Sequence, residues 1–506
     1  MSDRHKNCIF HITEEKNMSE KFEPTFESLR TYKAPDWFRD TKFGIWSHWG
    51  PQSVPMQNDW YARNMYIQGT RQYNFHVRHY GHPSKFGYLD VCRLWKAERF
   101  DPEELMDLYV RAGARYFMAQ ATHHDHFFNY QSKVNRFNSV NIGPGKDICR
   151  LWKDAADNAH LPFGLSEHLA ASFTWWAVNK GCDSYGPYKG IPYDGNRPEL
   201  QDFYHNNKAY AEELQSRGIL GEMPERWMTT DRNYQEYWLK AIREMIDLFQ
   251  PDLLYSDSGL PFLQPEAELS NTQPGLEAVA HLYNTSIEKF GSNHAVYTQK
   301  DRRPQIAEVG LVDVECSQLA EISQRPWQTD TFLGGWFYDE GCSYKPVNQL
   351  IEMLVDIVSK NGCMMLNVSQ RPDGTIDEEA RWELEEIGKW ISICGEGIYG
   401  TRPFRVFGEG DTRVTIQGFT EERAPWTAKD FRFTTDKSGK ILYAFMMAEP
   451  ADHRAVITSL TEQEKVKSVR LLGGETLPFE QAFGVLSVKL PEKLPTAYIN
   501  ALAIQL

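Results

Sequence analysis

The sequence lacks the features of several large protein classes. No stretch approaches the roughly 18 consecutive apolar residues of a membrane-spanning helix. The eight cysteines contain no CxxC pair and are too sparse in 506 residues for a disulfide scaffold, so most are expected to be buried, reduced packing residues. Basic residues are in the minority: 55 Lys and Arg against 69 Asp and Glu give a net charge of −14. This balance argues against a protein that binds the phosphate backbone of nucleic acids.

The amino terminus lacks the apolar core of a secretory signal. The chain as written is therefore predicted to be cytoplasmic, and a periplasmic or secreted location would require a signal that was removed before residue 1. The first thirty residues are expected to form a poorly packed arm. No membrane contact is predicted, and the sequence leaves a homo-oligomer open.

Short apolar runs alternate with longer amphipathic segments between about residues 35 and 395. Such runs are typical of buried strands, and strand–helix alternation favours a parallel sheet. The predicted strands are Phe43–His48, Tyr116–Thr122, Pro162–His168, Asp252–Ser258, Ala295–Lys300, Val312–Cys316 and Cys363–Val368.

Amphipathic helices are expected between these strands. Asp101-Pro102-Glu103-Glu104 has the pattern of a helix start, and Gly113 is a plausible stop. Apolar residues at helical spacing mark two further helices, from Trp238 to Phe249 and from Val347 to Val358. The number of units and the length favour an α/β fold of the closed (β/α)8 TIM-barrel type. An open doubly wound sheet is the alternative, but no Gly-rich phosphate loop follows the first strand.

The pattern changes near Tyr399. Short β-prone stretches, separated by turn residues such as Gly473-Gly474, predict an all-β sandwich of about 100 residues. We therefore predict an arm (1–30), a barrel catalytic domain (31–398) and a C-terminal β-sandwich (399–506). The β-prone stretches of the predicted sandwich are Arg413–Gly418, Ile441–Met446, Val466–Leu472 and Ala497–Ile504.

Polar clusters lie at the carboxyl ends of five of the predicted strands. Because barrel enzymes build their active sites at the carboxyl ends of the strands, and because burying so much polarity without a task is costly, these clusters predict a functional site. They comprise His48, Thr122–His126, Ser166–His168, Tyr255–Gly259 and the carboxylate of Glu315.

Two chemistries fit such a set. Paired carboxylates among histidines and aromatic rings are typical of glycoside hydrolysis, in which one carboxylate is the nucleophile and the other the acid/base. The alternative is a zinc hydrolase, but the neighbouring His123 and His124 would point to opposite faces of a strand, and no HExxH helix is present. We therefore expect no metal and no cofactor. The candidate zinc ligands are His123, His124, His126 and His168, with Asp125 or Glu167.

Several motifs resemble glycoside hydrolase family 29, the retaining exo-α-L-fucosidases. Their order and spacing cover about residues 36–400, and together they are highly specific, although His-Trp-Gly or His-His-Asp alone would not be. The resemblance implies a barrel, a β-sandwich tail and a glycan substrate. The matching segments are Lys42–Pro51, Asp59-Trp60-Tyr61, Met65-Tyr66, His123-His124-Asp125, Leu253–Asp257, Pro326–Thr329, Val358–Gly362, Leu366-Asn367-Val368 and Pro372–Ile376.

The resemblance also implies roles. Asp257 falls on the family's nucleophile and Glu315 on its general acid/base, with Glu308, Asp313 and Glu321 as rival acids in that stretch. Lys300 or Arg302 would supply a nearby cation. The positions implied to contact the sugar are His48, Asp59, Trp60, His123 and His124, and those implied to form the wall facing its C5 substituent are Tyr255 and Trp336, with Trp46 beside them.

The sequence departs from the family at Ser166-Glu167-His168, where well-known fucosidases have Tyr-Tyr-Ser or a similar segment near the pocket for the fucose methyl group. Glu167 and His168 would suit a C6 hydroxyl better than a methyl. This gives an alternative hypothesis, an exo-α-L-galactosidase on the same scaffold. The opposing hypothesis is that both side chains turn away or bind another hydroxyl.

Overall fold

The computed structural model describes residues 20–263, 272–414, 419, 421 and 423–506. Eight parallel strands form a barrel in which each strand pairs with its neighbours in the order β6-β5-β4-β3-β2-β1-β8-β7. A parallel bridge between Asp313 and Gln328 joins β6 to β7 and closes the circle. The strands are β1 (Phe43–Ser47), β2 (Tyr116–Gln120), β3 (Phe163–Glu167), β4 (Leu253–Ser256), β5 (Val296–Gln299), β6 (Leu311–Val312), β7 (Trp327–Phe332) and β8 (Gly362–Asn367).

Six of the seven predicted strands coincide with β1–β5 and β8, the seventh, Val312–Cys316, overlaps β6 only at Val312, and the predicted barrel is confirmed. The strand that sequence analysis missed is β7, where Gln328, Thr329, Asp330 and Thr331 are fully buried although they are polar. A hydrophobic pattern cannot identify such a strand, because Gln328, Thr329 and Thr331 bury hydrogen-bonding groups that find polar partners instead of apolar ones.

Helices surround the barrel. In α6, the Asp101 side chain accepts a hydrogen bond from the Glu104 N–H, and Gly113 follows with a left-handed φ of 102°, as the sequence pattern predicts. The two predicted apolar stripes form α11 and α14. The helices are α1 (Phe26–Leu29), α2 (Asp36–Thr41), α3 (Tyr61–Asn64), α4 (Arg71–His79), α5 (Tyr88–Leu94), α6 (Pro102–Arg111), α7 (Ile148–Asn158), α8 (Ser172–Trp175), α9 (Gln201–Tyr204), α10 (Lys208–Ser216), α11 (Arg232–Phe249), α12 (Gln273–Phe290), α13 (Pro304–Ala307), α14 (Val347–Ser359) and α15 (Glu378–Cys394).

Two antiparallel sheets follow the barrel and enclose a second core, which includes Phe433, Leu442 and Val488. Three of the four predicted β stretches lie on strands here, whereas most of Arg413–Gly418 (415–418) lies outside the described residues. The five-stranded sheet is β9 (Arg402–Glu409), β10 (Phe431–Thr435), β11 (Ile441–Met446), β13 (Ser468–Leu471) and β16 (Asn500–Gln505), and the three-stranded sheet is β12 (Arg454–Ile457), β14 (Phe479–Ala482) and β15 (Val485–Lys489).

The described part of the predicted arm, residues 20–30, packs on α12. The Phe22 N–H donates to the Asn284 side chain at 2.8 Å, and the Phe22 ring lies 5.1 Å from that of Tyr283. The division into residues 1–30, 31–398 and 399–506 stays a proposal. Among the described helices, none is both long and apolar enough to cross a membrane.

A buried ion cluster joins the barrel to the C-terminal sheets. Asp356 on α14 is 1% exposed and accepts from the Arg432 Nε on β10 and, at 2.6 Å, from the Lys360 Nζ. We predict that Asp356→Ala lowers the free energy of urea-induced unfolding by about 3–5 kcal/mol, because two buried cations lose their counterion. Asp157→Ala, which breaks an exposed pair with Lys153, is the control and should cost less than about 1 kcal/mol. Equal losses would contradict the prediction.

Candidate active site

A cavity of about 530 Å³ opens at the carboxyl ends of the barrel strands. It collects residues that lie far apart in the chain, and it contains most of the predicted site residues. Its lining consists of Trp46, His48, Asp59, Trp60, His123, His124, His168, Met223, Trp227, Tyr255, Asp257, Ser258, Lys300, Glu315, Asp330, Phe332, Trp336 and Phe419.

The register of the strands places the polar groups in this cavity. His48, His168, Asp257 and Lys300 each follow directly on a barrel strand, β1, β3, β4 and β5 respectively. Parallel strands in a barrel end on one face, so these side chains converge although up to about 250 residues separate them. Asn367, at the end of β8, accepts from the His48 N–H at 3.0 Å and so fixes the backbone that carries the His48 ring.

Asp257 is held by both backbone and side-chain contacts. Its N–H donates to the Glu167 carbonyl at 3.0 Å, and the next residue, Ser258, has a left-handed φ of 88°. One carboxylate oxygen lies 2.6 Å from the Lys300 Nζ, and the other lies 3.1 Å from the His124 Nε2. The carboxylate is therefore anchored at each of its two oxygens.

The charges around Asp257 keep it ionised. Burial alone would raise the pKa of its carboxyl group, but the Lys300 ammonium and the hydrogen bond from His124 hold that pKa well below its ordinary value. The same contacts act on the cation: burial opposes the charge of Lys300, yet Asp257 and Glu315 raise its pKa well above the usual value.

Glu315 is held by the neighbouring strand. The flanking Val314 and Cys316 N–H groups donate to carbonyls of β7 at 2.9 Å each, and the Glu315 carboxylate contacts the Lys300 Nζ. Burial raises the pKa of Glu315 to about 7, although the Lys300 charge opposes the shift. Of the rival acids, Glu308 and Glu321 are exposed and Asp313 lies buried outside the cavity lining.

Lys300 thus lies between two carboxyl groups whose pKa values are shifted in opposite directions, downward for Asp257 and upward for Glu315. Both contact the same ammonium nitrogen, so their nearest oxygens cannot be more than about 6 Å apart, two hydrogen-bond lengths. The sequence offered Lys300 or Arg302 as the cation. Only Lys300 lines the cavity.

Three histidines of the cavity are buried neutral groups. Burial lowers the pKa of His48 and of His123 well below the ordinary value, and that of His168 to about 3. Gln52 accepts from the Ala62 N–H at 3.1 Å through Oε1, so its Nε2 donates to the His123 Nδ1 at 2.8 Å. The hydrogen of His123 is then on Nε2, where it can be donated to a ligand.

Asp59 and Trp60 enter the cavity from a constrained loop. Trp60 has a left-handed φ of 60°, which is uncommon for an aromatic residue, and its N–H donates to the Asp59 carboxylate at 2.7 Å. Burial, aided by the negative charge of Asp257, raises the pKa of Asp59 to about 8, although the Trp60 N–H opposes the shift. At neutral pH this carboxyl group can donate a hydrogen bond.

Aromatic rings form one wall of the cavity. The Trp46 ring lies 5.1 Å from that of Tyr255 and 5.4 Å from that of Trp336. The His168 ring lies 6.0 Å from the Trp46 ring and nearly parallel to it. Such a surface suits the apolar face or a methyl group of a sugar.

The structure places Glu167, an expected substrate contact, outside the cavity lining. Glu167 is fully buried and does not line the cavity. It lies on the opposite side of β3 from the ligand face, and its Oε2 accepts from the Leu169 N–H at 2.9 Å and the Trp238 Nε1 at 3.1 Å. Alternation along a strand is the physical reason, because neighbouring side chains point to opposite faces. The α-L-galactosidase hypothesis therefore lacks the carboxylate that was expected to bind the C6 hydroxyl.

The zinc alternative is not supported by these contacts. His126 does not line the cavity: its ring nitrogens bond the Phe203 carbonyl and the Tyr237 hydroxyl. Among the described residues, the group with metal-binding spacing is His48, His123 and His168, whose ligand atoms lie within 4.8 Å of one another. However, the Gln52 contact leaves a hydrogen on the His123 Nε2, and a protonated nitrogen is no metal ligand.

Five lining residues were not anticipated. Asp330 and Phe332 lie on the missed strand β7, and a search for buried polar strands beside the Pro326-Trp327 motif could have found them. The other three come from loops that carry no motif, so no local signal marks them. They are Met223, Trp227 and Phe419.

The barrel holds one carboxyl group with a lowered pKa and one with a raised pKa, set among neutral histidines and tryptophans. This arrangement defines the class of barrel glycoside hydrolases. Comparison with known proteins identifies the family within that class. Residues 9–396 match the profile of the family described as Alpha-L-fucosidase, and residues 425–505 match that of the Alpha-L-fucosidase C-terminal domain. The chain belongs to the alpha-L-fucosidase family of glycoside hydrolases.

Individual relatives agree with this assignment. The chain is 24% identical to the alpha-L-fucosidase of Dictyostelium discoideum, over 95% of this chain and 94% of the relative. It is 26% identical to the human tissue alpha-L-fucosidase, over 78% and 75%. Among solved structures, the Thermotoga maritima alpha-fucosidase in complex with fucose is 26% identical, with a TM-score of 0.71 over 96% of this chain and 100% of that one. These findings do not favour the galactosidase alternative.

The positions of Glu167 and His168 predict different effects on sugar choice. Glu167→Gln should leave the ratio of kcat/KM for 4-nitrophenyl α-L-fucoside and α-L-galactoside unchanged, because residue 167 does not face the sugar. His168→Phe should change it, because this ring lines the cavity. A shift of about tenfold or more in the Glu167→Gln ratio would contradict the geometry.

Proposed function

We propose that this enzyme removes terminal α-L-fucosyl residues from glycans with net retention of configuration, with Asp257 as the nucleophile and Glu315 as the general acid/base. The observation that carries the proposal is the pair of carboxyl groups on the Lys300 ammonium. Asp257 is ionised, Glu315 is protonated near neutral pH, and their separation of at most about 6 Å is compatible with the roughly 5–5.5 Å of retaining enzymes.

In the first step, an oxygen of Asp257 bonds to the anomeric carbon while the bond to the leaving group breaks, and the Glu315 proton passes to the departing oxygen. Asp257 loses its charge as Glu315 gains one. The Lys300 ammonium contacts both groups, so the charge moves from one of its partners to the other. In the second step, Glu315 accepts a proton from water, which displaces Asp257 from the sugar.

The remaining lining residues fit a fucosyl group. The neutral His48, His123 and His168 and the protonated Asp59 carboxyl can hydrogen-bond ring hydroxyls without a net charge, and the Trp60 ring offers an apolar face. The wall of Trp46, Tyr255 and Trp336 suits the C5 methyl group of fucose, which has no hydroxyl to leave unpaired.

Removal of the nucleophile tests the first role. Asp257→Asn should lower kcat for 4-nitrophenyl α-L-fucoside by at least about 10³-fold, because the amide cannot form the glycosyl ester. Asp247→Asn, on the exposed face of α11, is the control and should keep full activity. Activity of Asp257→Asn within about tenfold of wild type would refute the assignment.

Azide distinguishes the two carboxylates. In Glu315→Ala the glycosyl enzyme still forms, so azide should restore turnover and yield fucosyl azide of retained configuration. In Asp257→Ala azide replaces the nucleophile and should yield the inverted azide. The exposed Glu308→Ala is the control, with normal activity that azide does not change. Full activity of Glu315→Ala without azide would move the role to another acid.

The pH dependence tests the protonation states. Glu315 must start protonated, so kcat/KM should fall as pH rises through about 7, while the acid limb should lie below the ordinary range of aspartate. Asp59→Asn should keep the alkaline limb near 7 even where it weakens binding. If Asp59→Asn shifts the alkaline limb, the limb reports Asp59 and not Glu315, and the general acid has been misassigned.

A further inference from the structure

A buried chain of hydrogen-bonding groups leads from the interior of the barrel to the proposed nucleophile. Its members come from four strands or strand ends, and the mechanism above uses only the Asp257 carboxylate and the Tyr255 ring. In order, they are Tyr116, Gln328, Asp313, Asp330, Tyr255 and Asp257.

At the inner end of the chain, the donor and acceptor of each hydrogen bond are determined. The Tyr116 hydroxyl donates to the Gln328 Oε1 at 3.1 Å, so the amide nitrogen of Gln328 faces Asp313 and donates to its Oδ2 at 2.6 Å. Asp313 is 1% exposed, and Asp330, which borders the cavity, has no exposed surface. Neither carboxyl group is therefore solvated well enough for both to carry a charge in contact.

The two aspartates are themselves partners. Their carboxyl groups lie within hydrogen-bonding reach of each other, while the Oδ1 atom of each has no donor in the described part of the chain. Two ionised carboxylates in contact repel, and a proton between them would satisfy both oxygens. One proton on the pair is thus the arrangement that leaves neither oxygen unpaired.

Tyr255 connects this pair to the nucleophile. Its hydroxyl lies 2.9 Å from the Asp330 Oδ2 and 3.3 Å from the Asp257 Oδ1. The hydroxyl has a single hydrogen, for which two carboxyl groups compete. When the shared proton is on Asp330, that group is a weak acceptor and the hydrogen is free for Asp257. When the proton is on Asp313, the ionised Asp330 takes the hydrogen.

We propose that Asp330 is a positioning residue for the nucleophile: it shares one proton with Asp313 and thereby releases the Tyr255 hydroxyl to hydrogen-bond the Asp257 Oδ1. The proposal rests on Asp257 as the nucleophile. This hydrogen bond adds to the contacts of Lys300 and His124 in orienting the carboxylate plane. Small errors in that orientation are costly, because the attacking oxygen must approach the anomeric carbon in line with the bond that breaks.

Two isosteric amides test the proposal. Asparagine at 330 donates to Asp313 and imitates the proton on Asp330, whereas asparagine at 313 donates to Asp330 and holds it ionised. Each variant removes one carboxylate from the same pair, so the loss of charge is matched. We expect kcat of Asp313→Asn to be about tenfold or more below that of Asp330→Asn, the effect of one hydrogen bond to a charged group. Inhibition by L-fucose should differ by less than about threefold. Equal kcat values, or a difference in L-fucose binding alone, would overturn the proposal.

Tyr255→Phe provides the second measurement. If Asp330 acts through this hydroxyl, Tyr255→Phe should itself lower kcat and abolish the difference between the two amide variants. An unchanged kcat in Tyr255→Phe would overturn the proposal even if a buried amide variant failed to fold, which thermal melting reports. The Asp257→Asn variant is measured alongside. If it stays active, the proposed function fails, whereas an inactive Asp257→Asn with equal amide variants rejects this inference alone.

Discussion

The contact on which the site depends is the Lys300 ammonium shared by Asp257 and Glu315. In a buried cavity two nearby carboxyl groups cannot both carry a charge without a counterion. With one cation between them, one group is ionised and the other protonated, which are the two states that a nucleophile and an acid need. Because the reaction transfers the charge from the first group to the second, the same cation serves both steps.

The barrel supplies the geometry for this contact. Lys300 follows β5, Asp257 follows β4, and Glu315 is tied to β7 through the N–H groups that flank it. The residues are distant in sequence, but parallel strands bring their carboxyl ends to one face. The price is buried polarity: β7 buries glutamine, threonine and aspartate side chains, and each of them needs a hydrogen-bonding partner. The chain from Tyr116 to Tyr255 supplies partners for Gln328 and Asp330, while Thr329 donates to the Val314 carbonyl and Thr331 to the Glu421 carboxylate.

Much of this was predictable from the sequence. Apolar runs marked seven of the eight strands, and polar clusters at their ends marked His48, His168, Asp257 and Glu315. What could not be predicted has physical reasons. β7 has no apolar pattern, so Asp330 was missed. Glu167 is one residue from His168, and only the strand register decides which of the two faces the cavity. Trp227 lies in a loop without a motif. Lys300 and Arg302 could be told apart only by their positions in space.

The central claim is a covalent bond between Asp257 and the sugar, and trapping that bond tests it most directly. Incubation with a fluorinated, slow fucosyl substrate, followed by mass spectrometry of the intact protein and of its peptides, should show one fucosyl label, on Asp257. NMR of the sugar first released from a normal substrate should show the α configuration. A label on another side chain, or an inverted product, would contradict the account.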